Sequence, residues 1–435
     1  MARGMSAKTG ILVLGMLFTG ILNSLVSKWQ DMQCVENCLP DSPGPKKTYS
    51  QPVWQTLQMF MGELCCLLPY YARLARRKWR KYQRRKARLA NNENQSLISI
   101  NDESEYQPYG GVHASFLRVN VPNLFGNILP LDVGEGIDTV HVRQKLHKWW
   151  KLAILFIVPA LCDIFATTLM NSALIIMPVS IFQMTRGALV LWVGLFSVLF
   201  LHHRLRLYEW VSLILVMLGV AIVGLSSVLV NPESKASAAI TAHISSSADA
   251  QAAVKALLGL AMVLSAQIFA ALQFVYEEKV MGDHEVEPML AVGLEGLFGS
   301  LLVLTLMPIL HYFIGSTPSG HGGYFDMVTG WRQLTGVPPV LWGSFLCASS
   351  IALYNMFGLS VTRIVSATAR STIDTFRTLG ITFVSIALGW EVLQPLSGLM
   401  QAVGFASLAY GTFVFNGVMK PPRFLLKERE REQLA

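Results

Sequence analysis

Arg370, Asp374 and Arg377 lie within Ser366–Trp390 (SATARSTIDTFRTLGITFVSIALGW), a stretch otherwise long and apolar enough to cross a bilayer. At helical spacing Ser366, Arg370, Asp374 and Arg377 share one face. A charge at mid-bilayer costs about 2.5–3.5 kcal/mol on insertion scales, so such groups turn toward protein or a watery cavity and pair. Asp374 stands four residues from Arg370 and three from Arg377. It can pair with either arginine but cannot neutralise both, which leaves the stripe about one positive charge. Two readings stay open: a salt bridge that fixes helices together, and a site lining a solute path.

Other polar residues interrupt apolar stretches elsewhere: Glu63, Asp163, Asn171, Gln183, Arg186, Glu295 and Asn355. Asp163, Thr167 and Asn171 share a helix face, and Gln183 and Arg186 are neighbours at i, i+3. Taken singly, Asn171, Asn355 and Gln183 read equally well as helix–helix hydrogen bonds. Taken together the set implies a shared polar interior. A guanidinium suits carboxylate or phosphate. Arg186, Arg370 and Arg377 are therefore candidates for holding a negative group on a solute. Asp163, Asn171, Gln183 and Asn355 would orient that solute, with Asp374 in the same site. Glu63 and Glu295 are candidates for proton coupling, since a buried carboxyl can change protonation during a transport cycle. A fixed structural contact is an equal reading for both.

Enzyme chemistry finds no support. The chain has no HExxH, GxGD or GxSxG pattern. His202 and His203 sit beside arginines at a helix end, so no metal is expected there, and no cofactor is expected at all.

The elements that must position these residues are membrane helices. The chain has 435 residues, 52% of them hydrophobic and 14% charged, with mean hydropathy +0.44. Soluble domains carry about 25% charged residues. The net charge of +8 does not point to nucleic acid, because the basic residues flank the apolar stretches.

Ten spans are expected in an all-α integral membrane fold: Thr9–Val26, Val53–Leu74, Trp149–Leu174, Pro178–Leu201, Leu207–Val230, Val254–Tyr276, Met289–Phe313, Pro339–Leu359, Ser366–Trp390 and Leu396–Val418. Arg73–Arg88 holds ten Lys/Arg among sixteen residues and no acid, which marks its side as cytosolic. His202–Arg206 and Lys420–Arg431 then fall on the same side, and both termini are cytosolic. The loop Gly315–Val337, with one arginine and no lysine, suits the far side, as does the acidic WEVLQP linker. Residues from about Leu89 to His147 read as a mostly unstructured cytosolic insert, and Asn231–Ala253 as a small polar loop. Asn94-Gln95-Ser96 is a glycosylation sequon that this topology keeps unmodified. Four of the six cysteines lie in apolar stretches; Cys34 and Cys38 face the non-cytosolic side, where a disulfide can form.

Five spans follow five, and an odd-numbered repeat requires inverted halves. Val179-Ser180 and Val365-Ser366 differ by 186 positions, Gly219 and Gly404 by 185, and Asn171 and Asn355 by 184. Glu63 and Glu295 differ by 232, as expected if the insert of about residues 75–148 lies in the first half alone. The halves are then residues 1–230 and 231–435.

The motifs PALCDIFATTLMNSAL (Pro159–Leu174), SIFQMTRGALVLWVGLFSVLFL (Ser180–Leu201), QIFAALQFVYEEKV (Gln267–Val280), AVGLEGLFG (Ala291–Gly299) and GLSVTRIVSATARSTIDTFRTLGI (Gly358–Ile381) resemble the drug/metabolite transporter superfamily, within it the solute carrier 35 family, subfamily F. The resemblance covers nearly the whole chain outside the insert. It implies ten transmembrane helices as two inverted five-helix repeats, and alternating access around a central cavity.

The expected function is transport of a small polar, anionic or zwitterionic metabolite across an endomembrane. The resemblance favours a vacuolar, lysosomal or Golgi address, with the mitochondrion as the alternative. Glu93, Leu97 and Ile98 form a candidate acidic dileucine sorting signal for a sorting adaptor. Partners are the solute and the bilayer, with a homodimer allowed and no nucleic acid. The alternative class is a membrane scaffold that recruits partners through Arg73–Arg88 and the insert.

Overall fold

The computed structural model describes residues 7–38, 47–102, 150–176, 185–230, 247–318, 320–388 and 395–422. Gln183, most of the insert, most of the 231–253 loop, most of the WEVLQP linker and the tail beyond residue 422 lie outside the described residues. The chain divides into two compact units, Met1–Cys66 with Ala153–Ala435, and Leu67–Leu152.

The larger unit is built from helices. α1 (Ala7–Asp31) leads through a two-stranded antiparallel hairpin, β1 (Cys34–Glu36) and β2 (Lys47–Thr48), to α2 (Pro52–Cys65). The hairpin carries a Cys34–Cys38 disulfide and a Lys47–Glu36 ion pair of 2.8 Å. The Lys47 ammonium beside Glu36 holds that carboxyl below the usual glutamate range. After the smaller unit come α4 (Ile157–Ile176), α5 (Ala188–Leu201), α6 (Leu207–Val230), α7 (Ser247–His284) and α8 (Pro288–Leu310). Then follow α9 (Met327–Gly336), α10 (Pro338–Ile364), α11 (Ala367–Ala387) and α12 (Pro395–Phe415). α2, α8, α10 and α12 each begin at proline, whose fixed φ suits the first turn and whose missing N–H has no helical partner there.

Among the described residues, six helices are long and apolar enough to cross a membrane, and α5 and the first part of α6 are shorter apolar helices. α11 is absent from the six because it carries Arg370, Asp374 and Arg377, the feature that distinguishes it. The outward faces are apolar: Leu14, Phe345 and Phe383 are all more than half exposed. A water-soluble surface does not carry such a band, and lipid covers it here.

Inside, α6 packs along α12, α4 along α7, α1 along α10, and α2 against both α8 and α10. Leu57 and Phe60 of α2 meet Val303 and Met307 of α8. Val193 of α5 meets Phe274 and Val275 of α7 and Ala367 of α11. Gln30 ties α1 to α10 by donating to Ser344 Oγ at 2.7 Å and to the Val340 carbonyl at 3.2 Å.

Three expectations need correction. The single span expected over Val53–Leu74 is two helices. α2 ends at Cys65, a turn falls at Cys66, and α3 (Leu67–Asp102) follows in the smaller unit. Pro69 is the physical reason, because it has no N–H for the Cys65 carbonyl.

Second, α3 carries the whole Arg73–Arg88 run and continues to Asp102, so residues Leu89 to Asp102 are helical rather than unstructured. No glycine or proline stands between Pro69 and Pro108, and nothing in that stretch stops propagation. Glu93, Leu97 and Ile98 therefore lie on a helical backbone.

Third, the 315–337 loop contains α9. Pro308 and a π-helical turn at His311–Gly315 end the preceding helix, and Asp326 starts the next. The Asp326 side chain accepts from Thr329 N at 3.2 Å, Thr329 Oγ1 at 2.8 Å and Gly322 N at 3.0 Å, and faces His321 Nδ1 at 3.2 Å.

Burial alone would raise the Asp326 carboxyl. The donors from Gly322, Thr329 and His321 outweigh it and hold the group well below the usual aspartate range. A depressed folded value means that its stabilisation is present above the ordinary aspartate range and is lost only as pH falls through that lower value. Asp326→Ala is expected to lower unfolding stability by about 1–2 kcal/mol at neutral pH. The denaturation midpoint of the purified protein checks this; a midpoint equal to wild type refutes the capping role.

Candidate functional site

α2 is held close to two neighbours by glycines. A Cβ on Gly62 would sit 2.2 Å from the Ala348 carbonyl oxygen of α10, and one on Gly296 of α8 would sit 2.4 Å from Leu64 N. This approach places Glu63 against α10, where Asn355 Nδ2 donates to Glu63 Oε1 at 2.5 Å. Glu63 is fully buried, and its Oε2 has no hydrogen-bond partner. Asn355 Oδ1 in turn accepts from Arg370 Nη2 at 3.5 Å.

Arg370 is 2% exposed and makes its main contact with Glu277 of α7, from Nη1 to Oε2 at 2.6 Å. The Phe274 ring lies under its guanidinium, 4.0 Å from Cζ to the ring centroid, a cation–π contact. Gly358 gives that guanidinium room, since a Cβ there would come 2.8 Å from Arg370 Nε. Gln273 Nε2 donates to Glu295 Oε1 at 2.6 Å and joins α7 to α8. Glu63, Asp163, Glu277 and Glu295 stand within electrostatic range of one another and of Arg370. Asp163 is the partly exposed member; the three glutamates are 3% exposed or less.

A second group lies two turns along α11. Tyr354 Oη donates to Asp374 Oδ1 at 2.5 Å, and Arg377 Nε approaches the same oxygen at 3.3 Å. Arg377 also covers the Tyr354 ring at 4.9 Å. Arg186, just before α5, stands within electrostatic range of Arg377, Asp374 and Tyr354.

The positive charge that Asp374 leaves on the α11 stripe is met from another helix. Asp374 pairs with Arg377, and Glu277 answers Arg370. Glu277 was missed because the sixth span was expected to end at Tyr276, whereas α7 runs on to His284. The signal was present: Gln273 and Glu277 are spaced i, i+4, on one face of the helix. Tyr354 was missed because a tyrosine in an apolar span gives no charge signal.

Ser366 serves its own helix. Its Oγ accepts from Ala369 N at 3.0 Å and caps α11. The next acid on α7, Glu278, turns to the same terminus, accepting from Ala367 N at 2.8 Å with His203 at 4.0 Å. Asn171 lies half-buried on α4, two turns beyond Asp163. Among the described residues no group of three or more metal-ligating side chains is arranged to hold a metal ion.

Apolar spans that enclose paired arginines and carboxylates define a multi-pass membrane protein with a polar interior. The family described as "Nucleotide-sugar transporter" matches residues 137–308. "Solute carrier family 35 member F6" of Homo sapiens is 31% identical over 430 residues, covering 96% of this chain and 93% of that one. The Mus musculus protein of the same name is 31% identical over 420 residues, covering 96% of this chain and 90% of its own. An uncharacterized protein of Schizosaccharomyces pombe is 36% identical over 289 residues, covering 66% of this chain and 80% of its own. The chain belongs to the solute carrier 35 family, subfamily F, a family of membrane transporters and not of enzymes.

Proposed function

We propose that the protein moves a small polar solute across an endomembrane by alternating access, its two five-helix halves rocking about the buried charges. The observation that carries this reading is the network linking Glu63, Asn355, Arg370 and Glu277, drawn from four helices and placed at their common interior. Membrane helices bury such groups at a cost that a fixed apolar contact would avoid, and solute or ion paths are where they recur.

Packing supports the inverted repeat. If α1, α2, α4, α5 and α6 correspond to α7, α8, α10, α11 and α12, neighbours in one half predict neighbours in the other. α1 packs on α10 and its counterpart α7 on α4; α5 packs on α7 and α11 on α1; α2 packs on α10 and α8 on α4. Glu63 and Glu295 occupy matching helices on this correspondence. The basic flanks favour the cytosol for both termini and the far side for the Cys34–Cys38 hairpin.

On this reading Arg186 and Arg377 hold a negative group of the solute, Asn171, Gln183 and Asn355 orient it, and Glu63 and Glu295 couple movement to protons. The test is reconstitution into vesicles with labelled UDP-N-acetylglucosamine, glucose 6-phosphate, glutamate and lysine, with and without a pH gradient. Uptake of at least one probe above protein-free vesicles is expected. Glu63→Gln should remove the stimulation by the pH gradient while the protein stays in the membrane. Binding of a probe without uptake in any gradient refutes transport. It favours the scaffold reading, for which α3 presents the basic run on one helix.

A further inference from the structure

Around Arg370 four carboxylates, Glu63, Asp163, Glu277 and Glu295, face one guanidinium. With every group ionised, that cluster has an excess of three negative charges. Membrane interior does not tolerate such an excess, so protons or a bound cation must offset it. Arg370 is already held by Glu277 at 2.6 Å and cannot offset the other three.

An independent observation points to a ligand. Glu63 Oε2 is buried and has no hydrogen-bond partner, although Oε1 of the same carboxylate is held by Asn355. A buried acceptor without a donor is costly. Its titratable or charged neighbours are Cys66 on its own helix end, Asp163 from α4, Glu277 from α7, Glu295 from α8 and Arg370 from α11. Of these, Arg370 is the single cation. An ammonium supplies the missing N–H donors and the missing charge together.

We propose that the Glu63–Asp163–Glu277–Glu295 cluster binds a positively charged amine of the transported solute in exchange for protons; with the negative group that the transport reading assigns to Arg186 and Arg377, that solute is a zwitterion. Arg370 and Arg377 are seven residues apart on α11, about 10 Å along a helix axis, and the two ends of the solute are separated on that scale. Asp163, partly exposed, receives the amine first, and Glu63 Oε2 becomes an acceptor for it. This inference rests on the transport reading, but binding tests it directly.

The purified full-length protein is tested by thermal shift at pH 5.5 and pH 8.0. Lysine, putrescine and choline serve as cationic probes, with citrate and UDP-N-acetylglucosamine as anionic ones. At least one cationic probe is expected to raise the melting temperature. Its apparent affinity should be weaker at pH 5.5, by about tenfold per pH unit for each proton displaced.

Asp163→Asn is expected to remove the shift, and Glu295→Gln to weaken it and its pH dependence. Glu209→Gln, at the start of α6, should leave both unchanged. Gel filtration confirms that each variant is folded; if Asp163→Asn is not, Glu295→Gln decides. No shift with any cationic probe, a shift equal at both pH values, or shifts with anionic probes alone overturns the inference. The transport reading is judged apart from this by vesicle uptake, which such a failure leaves intact.

Discussion

Arg370→Ala should destabilise the protein by about 3–5 kcal/mol, the range for removing one partner of a buried ion pair, and should also abolish uptake. The magnitude follows from what remains. Glu277 is 1% exposed and loses the guanidinium that holds it at 2.6 Å. Glu63, Asp163 and Glu295 then face it with no cation among the cluster's described members. Phe274 loses its cation, and Asn355 loses a donor.

The double variant Arg370→Ala, Glu277→Gln separates structure from function, because it removes both charges of the pair. Its stability should recover most of the loss, while uptake stays absent if the network serves transport. A double-variant cycle read by thermal denaturation gives the coupling directly. A single variant as stable as wild type would mean that Arg370 does not depend on Glu277. A double variant with wild-type uptake would leave the network a purely structural role.

Gly62→Val should be nearly as damaging, although it changes no charge. The Cβ would sit 2.2 Å from the Ala348 carbonyl oxygen and 2.7 Å from its carbon. Both are backbone atoms of another helix, so no flexible side chain can give way. α2 and α10 must move apart, and the expected loss is at the upper end of the roughly 1–3 kcal/mol typical of overpacking.

Glu63 follows Gly62 in the chain, so the same separation breaks its bond to Asn355, and uptake should fall with stability. Gly282→Ala is the contrast. A Cβ there meets nothing within 4 Å, and the helix interior of α7 gains about 0.5–1 kcal/mol from losing a glycine. Equal denaturation midpoints for the two variants would show that the close approach of α2 to α10 is not a determinant of the fold.

The membrane character of the chain was legible in its sequence, because hydropathy over about 20 residues is a local property. The three charges inside Ser366–Trp390 were legible for the same reason, as was the demand that they turn inward. Proline starts and basic flanks are also local, and most helix positions follow from them. Local signals failed where a tertiary choice intervened. α3 extends past Arg88 because no breaker follows Pro69 until Pro108, whereas composition alone suggested an unstructured insert. α9 forms in a polar loop because one aspartate satisfies its first turn.

Ion-pair partners were beyond the sequence. Asp374 is three and four residues from the two arginines, and spacing allows either pair. The structure gives it to Arg377 and Tyr354 and gives Arg370 to Glu277, 93 positions away. That choice depends on which helices touch. Contact is set by glycines such as Gly62, Gly296 and Gly358, where one backbone or guanidinium fits against another. A sequence states how many buried charges must be answered. The packing of small residues decides which charge answers which, because electrostatic pairing acts over a few ångströms and the partners meet only when their helices do.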